Sequence, residues 1–361
     1  MRGDGAMPGA KLIEIECKSL LNRVDTPYMS FGWSVNPYRG CVHACVYCYA
    51  RRYHEYLALG PGHDFEQQIF VKVNAVEVLR RELARKSWNR EAVAVGTAVD
   101  PYQPAEGRYR LTRGILEALA DYDTPCSIVT KNSMILRDLD VLQRLARGPG
   151  VSVAFSITTL NSALAKRIEP DTPPPQQRLR VMRQLVQAGV RAGVLLAPIL
   201  PGLTDDTHSL EAVIRAAREH GAAFVSAAVL RLQGSVKDVY KDFLIREVPW
   251  LLPLYERLYP AAYAPRAYQD RILGRVQQLK RRHGFARSEP FVYTRPQAAP
   301  EQLSLFERIA SSSWQREQPH LSQPACGRPP KTPAIAALVS TANRRQTEQT
   351  RNAQPFGRSS R

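Results

Sequence analysis

Three cysteines, Cys41, Cys45 and Cys48, fall within eight residues of the stretch "NPYRGCVHACVYCYA" (36–50), while the whole 361-residue chain has only six. Chance places one such fixed triplet about 0.002 times in a chain with this cysteine count. Thiolates this close together hold zinc or an iron–sulfur cluster. Structural zinc takes four protein ligands, and the fourth here would have to be His43 or His54. A [4Fe–4S] cluster held by three thiolates keeps one iron open to a substrate or cofactor. Three ligands at this spacing therefore suit a reactive cluster better than a closed structural site.

The elements that position this loop follow from the pattern of apolar residues. Strand-like runs are "FGWSV" (31–35), "AVAVGTAV" (92–99), "CSIVT" (126–130), "VSVAFSIT" (151–158), "VRAGVLLAPIL" (190–200) and "AAFVSAAVL" (222–230). Helical patterns separate them. "TRGILEALADY" is expected to start on Thr112 as its N-cap, "DLDVLQRLAR" spaces leucines three and four apart, and "PPPQQRLRVMRQLVQAG" opens on prolines and closes on Gly189. "THSLEAVIRAAREHG" ends on Gly221 in the same way. Strands alternating with helices of this length imply right-handed crossovers and a parallel sheet. About six units are present, two short of an eightfold barrel, so the expected fold is α/β, a partial (β/α)6 barrel. "EQQIFVKV" (66–73) reads as an extra strand after the first unit. Residues 1–30 read as an irregular lead-in, 31–290 as the barrel with terminal helices from 238, and 291–361 as a disordered tail rich in proline, serine, glutamine and arginine.

Composition narrows the setting. No apolar run approaches a membrane span, and the N-terminus lacks an apolar core followed by a cleavage site, so a cytoplasmic protein is expected. Six cysteines are too sparse for a disulfide framework. A net charge of +17 favours a polyanionic partner such as nucleic acid, although part of that charge lies in the tail.

C-x3-C-x2-C with an aromatic, Tyr47, before the last cysteine resembles the signature of the radical S-adenosylmethionine (SAM) superfamily. The segments "GTAVDPYQPAE" (96–106), "TKNSMILRDLD" (130–140), "SITTLN" (156–161), "RIEPDTPPPQQRL" (167–179) and "APILPGLTDD" (197–206) extend the likeness to its spore photoproduct lyase-like branch, also called DNA-repair-photolyase-like. That resemblance implies a cysteine loop after the first strand, at the C-terminal mouth of the barrel. It also implies that Cys41, Cys45 and Cys48 bind three irons of a [4Fe–4S] cluster while the fourth chelates SAM. One electron, from a flavodoxin- or ferredoxin-type donor, then splits the sulfonium to give a 5′-deoxyadenosyl radical that abstracts hydrogen from substrate.

The likeness carries further roles onto single positions. Tyr47 and Tyr49 would shield the cluster and lie against SAM, Lys131 would pair with the SAM carboxylate, and Ser156, with Thr158 beside it, would bond the same moiety. Thr97 and Asp100 would lie near the SAM amino group, with Asp-Pro turn formation as the alternative for Asp100. Glu169 would bond the ribose or pair with Arg167, and "VLLAPILPG" would line the adenine. Spore photoproduct lyases carry an additional cysteine after the second strand that donates hydrogen to the product radical. "GTAVDPYQPAEGRYR" has none, so the resemblance does not bring that substrate with it. In the tail, "QLSLF" (Gln302 to Phe306) resembles a peptide that docks bacterial DNA-processing proteins on the sliding clamp. The contrasting expectation is a non-catalytic iron–sulfur or zinc protein that binds nucleic acid.

Overall fold

Val151–Ser156 and Cys126–Thr130 are almost wholly buried, as near-continuous apolar runs must be when helices cover both faces of a parallel sheet. They form the centre of the chain's larger sheet. A computed structural model describes residues 9–25 and 31–285. Ten strands occur among them: β1 (Lys11–Ile15), β2 (Asn22–Arg23), β3 (Trp33–Val35), β4 (Tyr38–Arg39), β5 (Gln68–Lys72), β6 (Val93–Val95), β7 (Cys126–Thr130), β8 (Val151–Ser156), β9 (Arg191–Ile199) and β10 (Val225–Val229).

Seven strands build one sheet in the order β10-β9-β8-β7-β6-β3-β2. β3, β6, β7, β8, β9 and β10 run parallel in chain order, and β2 pairs antiparallel with β3 at one edge. This is the expected partial barrel of six parallel strands. Helices Leu139–Arg147, Pro175–Gln187 and Thr207–Glu219 cross between successive strands. Proline at the first turn of Pro175–Gln187 loses no hydrogen bond, because the amide there has no intrahelical acceptor. Truncating a fully buried core residue such as Val153, Phe155 or Leu196 removes transfer free energy and opens a cavity, at a cost of about 2–5 kcal/mol.

Two expectations change. Residues 1–30 are not wholly irregular, because β1 pairs parallel with β5, from Lys11 opposite Gln68 to Ile15 opposite Lys72. β5 in turn pairs antiparallel with β4, giving a separate three-stranded sheet beside the cysteine loop. β1 is short and only partly buried, and its partner lies 57 residues away, so local pattern cannot announce it. Thr112 is not an N-cap. The helix begins at Leu111, and the Glu106 carboxylate accepts the amides of Thr112 and Arg113 at 3.0 and 3.4 Å, satisfying first-turn donors from outside the helix. The Thr112 hydroxyl donates instead to the Pro101 carbonyl at 2.5 Å. The tail and its "QLSLF" peptide lie outside the described residues. Among those described, no helix is long and apolar enough to cross a membrane.

Candidate functional site

The C-terminal ends of the parallel strands carry the residues singled out above. The chain leaves β3 through Asn36, whose amide donates to Thr97 Oγ1 at 3.2 Å and whose Oδ1 accepts Ala98 N at 2.8 Å, stitching the first strand's end to the second. It then turns at Gly40, with φ +79°. A Cβ here would lie 2.7 Å from the Gln68 carbonyl and 2.9 Å from that of Phe65, so only glycine brings the loop this close to β5. Gly96 does the same after β6, where a Cβ would lie 2.4 Å from the Pro101 ring.

The cysteine loop is clamped on three sides. Buried Gln103 donates to Gly40 O at 3.1 Å and accepts Val42 N at 3.3 Å. Fully buried Arg51 holds Cys45 O at 2.9 Å, Pro61 O at 2.9 Å and Glu66 at 2.5 Å, with its guanidinium over the Phe65 ring. Val46 N donates to Ile168 O at 3.1 Å, tying the loop to the segment after β8. Cys41 and Cys45 are buried and Cys48 half-buried. Burial pushes the Cys45 thiol up to about 12, against the pull of Lys131, and raises Cys41 as well, helped by Asp100 and the neighbouring thiols. Two turns fold the loop on itself, Ala44 N donating to Cys41 O at 3.5 Å and Cys48 N to Cys45 O at 3.2 Å.

Asp100 joins this loop to the next strand. Its Oδ1 accepts Thr130 Oγ1 at 2.8 Å and Tyr102 N at 2.9 Å, and its Oδ2 accepts the Lys131 amide at 2.7 Å and faces His43 Nδ1 at 3.4 Å. Those four partners use the acceptor capacity of a carboxylate. The bond to Tyr102 N is the Asx-type turn that Asp-Pro suggests. Lys131 extends its ammonium over the Tyr47 ring, 5.8 Å from the centroid. Burial would discharge it, but Cys45 and Glu169 outweigh that and hold its pKa above the ordinary lysine value, so it is a cation. Among the described residues this ammonium makes no hydrogen bond or ion pair.

Tyr47 is buried and donates to Glu169, whose Oε1 also accepts Thr158 Oγ1 at 3.2 Å. Glu169 pairs at 2.5 Å with Arg178, both residues being buried. Arg167 pairs instead with Glu247 at 2.7 Å, so the expected partner of Glu169 is corrected. Arg178 also donates to Ser156 O at 2.8 Å. Burial pushes the Glu169 carboxyl up, but Arg178 and Lys131 outweigh it and leave the pKa below the usual carboxylate value. Ser156 is buried and its hydroxyl donates to Ala197 O at 3.0 Å. Tyr49, partly exposed, reaches the Thr97 carbonyl through its hydroxyl.

The arrangement brings Tyr47, Thr158 and Lys131 together around Glu169, and ties Tyr49 to Thr97. Sequence reading missed Arg51, Gln103 and Arg178. Arg51 follows the cysteine stretch, while Gln103 and Arg178 lie inside quoted segments, and only burial in the fold distinguishes each from surface composition. Neither histidine proposed for zinc joins the thiols. His43 faces Asp100, and His54 contacts Gln68 O at 3.1 Å between Phe65 and Phe70. Among the described residues no group of three His, Cys, Asp or Glu side chains is arranged to hold a single metal ion. The residues fit a cluster with a polar ligand better. Three thiols share a buried loop, an unpaired ammonium lies over its aromatic wall, and His43 Nε2 is buried without a partner.

The family described as the Radical SAM superfamily matches residues 35–221. The chain belongs to that superfamily. It is a radical SAM enzyme, of a family that implies SAM and an iron–sulfur cluster. The uncharacterized protein Rv2578c of Mycobacterium tuberculosis is 40% identical to this radical SAM chain over 324 residues, covering 84% of it and 95% of the relative. The uncharacterized protein MJ0683 of Methanocaldococcus jannaschii is 28% identical over 195 residues, covering 54% and 70%. Among solved structures, a cysteine-to-serine mutant of spore photoproduct lyase superposes with a TM-score of 0.57 at 16% identity, covering 76% of this chain and 79% of that one. A second lyase mutant, with bound AdoMet and dinucleoside spore photoproduct, gives a TM-score of 0.56 at 17% identity, with the same coverage. These superpositions show that the radical SAM chain shares the lyase's fold. No cysteine lies between β6 and β7 here. Cys126 is fully buried at the start of β7, the end of the strand opposite the site.

Proposed function

We propose that Cys41, Cys45 and Cys48 hold a [4Fe–4S] cluster with one open iron, that SAM binds there, and that the enzyme removes hydrogen from a nucleic-acid substrate. When bound and reduced, the cluster would supply one electron to the SAM sulfonium, whose C–S bond would break to methionine and a 5′-deoxyadenosyl radical able to abstract hydrogen. The observation that carries this reading is the unpaired Lys131 ammonium over Tyr47, beside the cysteine loop. A half-buried ammonium that makes no hydrogen bond or ion pair among the described residues suits a carboxylate ligand, here that of SAM. Tyr47 forms the floor under that carboxylate, and Glu169 fixes the ring through its hydroxyl. Ser156 and Thr158 sit at and just after the end of β8 with their hydroxyl protons given to Ala197 O and Glu169, and the lone pairs they keep suit the SAM ammonium. Tyr49 and Thr97 close the side nearest β6.

Asp100, fully engaged by the protein, takes a positioning role here in place of a contact to the SAM amino group. It fixes His43 and the Lys131 backbone relative to the thiols. Nucleic acid as substrate rests on the net charge of +17 and on the likeness to a lyase seen with a dinucleoside photoproduct. The missing cysteine separates this reading from spore photoproduct repair. The electron enters from a flavodoxin- or ferredoxin-type partner, and the "QLSLF" peptide offers a clamp-docking segment.

Anaerobic reconstitution with iron and sulfide tests the proposal. The protein should turn brown, bind three to four irons per chain by the cluster's stoichiometry, and release 5′-deoxyadenosine from SAM when reduced. Uptake of zinc alone, with no visible absorbance, would overturn it.

A further inference from the structure

Arg231 follows β10, the last parallel strand, and its setting is unlike that of a surface arginine. Its backbone bridges Tyr263, and the adjacent Leu232 amide donates to Ala262 O at 2.9 Å, so the segment is held in place. The guanidinium lies 5.0 Å over the Tyr263 ring. One terminal nitrogen donates to the side-chain oxygen of Gln233, a neutral acceptor. The Nε is buried and has no partner. Among the described residues Arg231 makes no ion pair, so its charge is oriented but not neutralised. Ser235, at the start of the helix Val236–Glu247, adds a second buried polar atom without a partner, its Oγ.

Arg231 also stands beside the cysteine loop: its chain neighbours Leu230 and Leu232 pack in one buried cluster with Cys45 and Tyr47. Tyr263 is 53% exposed, leaving aromatic surface free beside the guanidinium.

We infer that Arg231, with Gln233, Ser235 and the face of Tyr263, forms a substrate subsite for the phosphate of a nucleotide unit. A guanidinium fork matches phosphate oxygens with two parallel hydrogen bonds, and the orphaned Nε is one of its donors. The Tyr263 ring offers a stacking surface to the attached base, as in single-strand recognition. This assignment rests on the proposed function only in placing substrate beside the cysteine loop, and it deepens that reading by naming the group recognised.

The test uses the full-length, cluster-loaded chain with SAM present. Thymidine, thymidine 5′-monophosphate and the dinucleotide thymidylyl-thymidine are titrated separately, thymine being chosen to avoid competing for the adenine of SAM. Either phosphate-bearing probe should bind at least about tenfold more tightly than thymidine. Preference for the dinucleotide assigns a polynucleotide, and preference for the monophosphate a free nucleotide. Arg231→Gln should abolish the advantage of phosphate, and Arg231→Lys, which keeps charge but loses the fork, should restore part of it. Equal affinity of the parent chain for all three probes overturns the inference without reference to any variant. So does an undiminished phosphate advantage in Arg231→Gln. Failure of the cluster reading shows separately, as absent iron in a chain that still prefers phosphate.

Discussion

Asp100 Oδ2 stands 3.4 Å from His43 Nδ1, so the turn after the second parallel strand reaches into the middle of the cysteine loop. The same oxygen accepts the Lys131 amide at 2.7 Å. One carboxylate thus sets the distance between the thiols and the cation that the proposed function assigns to SAM. Asp100→Ala leaves the Lys131 amide and the Thr130 hydroxyl without their acceptor. We expect a loss of about 1–3 kcal/mol in stability and a lower iron content after reconstitution. Asp100→Asn, which keeps one acceptor oxygen, should fall between. Denaturant titration and iron assay read the two effects.

Gly40→Ala tests whether loop geometry, beyond cysteine spacing, makes the site. The added methyl would meet two backbone carbonyls at 2.7 and 2.9 Å, and φ at +79° is costly for any residue with a Cβ. The variant should retain its far-UV circular dichroism yet load markedly less iron than the parent. Normal loading would show that the loop tolerates displacement.

Lys131→Met preserves the stem over Tyr47 and removes the charge. Cluster absorbance should be retained, while SAM affinity measured by equilibrium binding should fall by about tenfold or more, the magnitude of one lost charge-assisted contact. An unchanged affinity would remove Lys131 from the ligand's surroundings.

Glu169 predicts an acid limb. Its folded pKa lies below the usual carboxylate value because Arg178 and Lys131 outweigh burial. A depressed folded pKa contributes stability that is present above the unfolded value, about 4.3, and is lost as pH falls through the folded one. The parent chain should therefore lose stability below about pH 4. Glu169→Gln should lose about 3–5 kcal/mol at neutral pH by stranding Arg178, and its stability should change less with pH in that acid range. Melting curves between neutral and acid pH decide this.

The cysteine triplet, the six βα units and the motif segments at the strand ends are legible in the sequence because each rests on local spacing. Ligand spacing spans eight residues, and apolar periodicity spans one strand or one helix. What the chain order could not disclose is which distant side chains meet. Glu169 has Arg167 two residues away, yet it pairs with Arg178, which the first turn of the helix Pro175–Gln187 carries to the same buried point. Arg51 and Gln103 become loop clamps only because the three-stranded sheet and the turn after β6 close around Cys41 to Cys48. Asp100 is a turn residue in the sequence and becomes the bond between loop and cation in the fold. The identity of the chemistry is thus written in short-range spacing. The electrostatics that orient it arise from partners brought together by parallel strands, whose neighbours are always a helix-length or more apart in the chain.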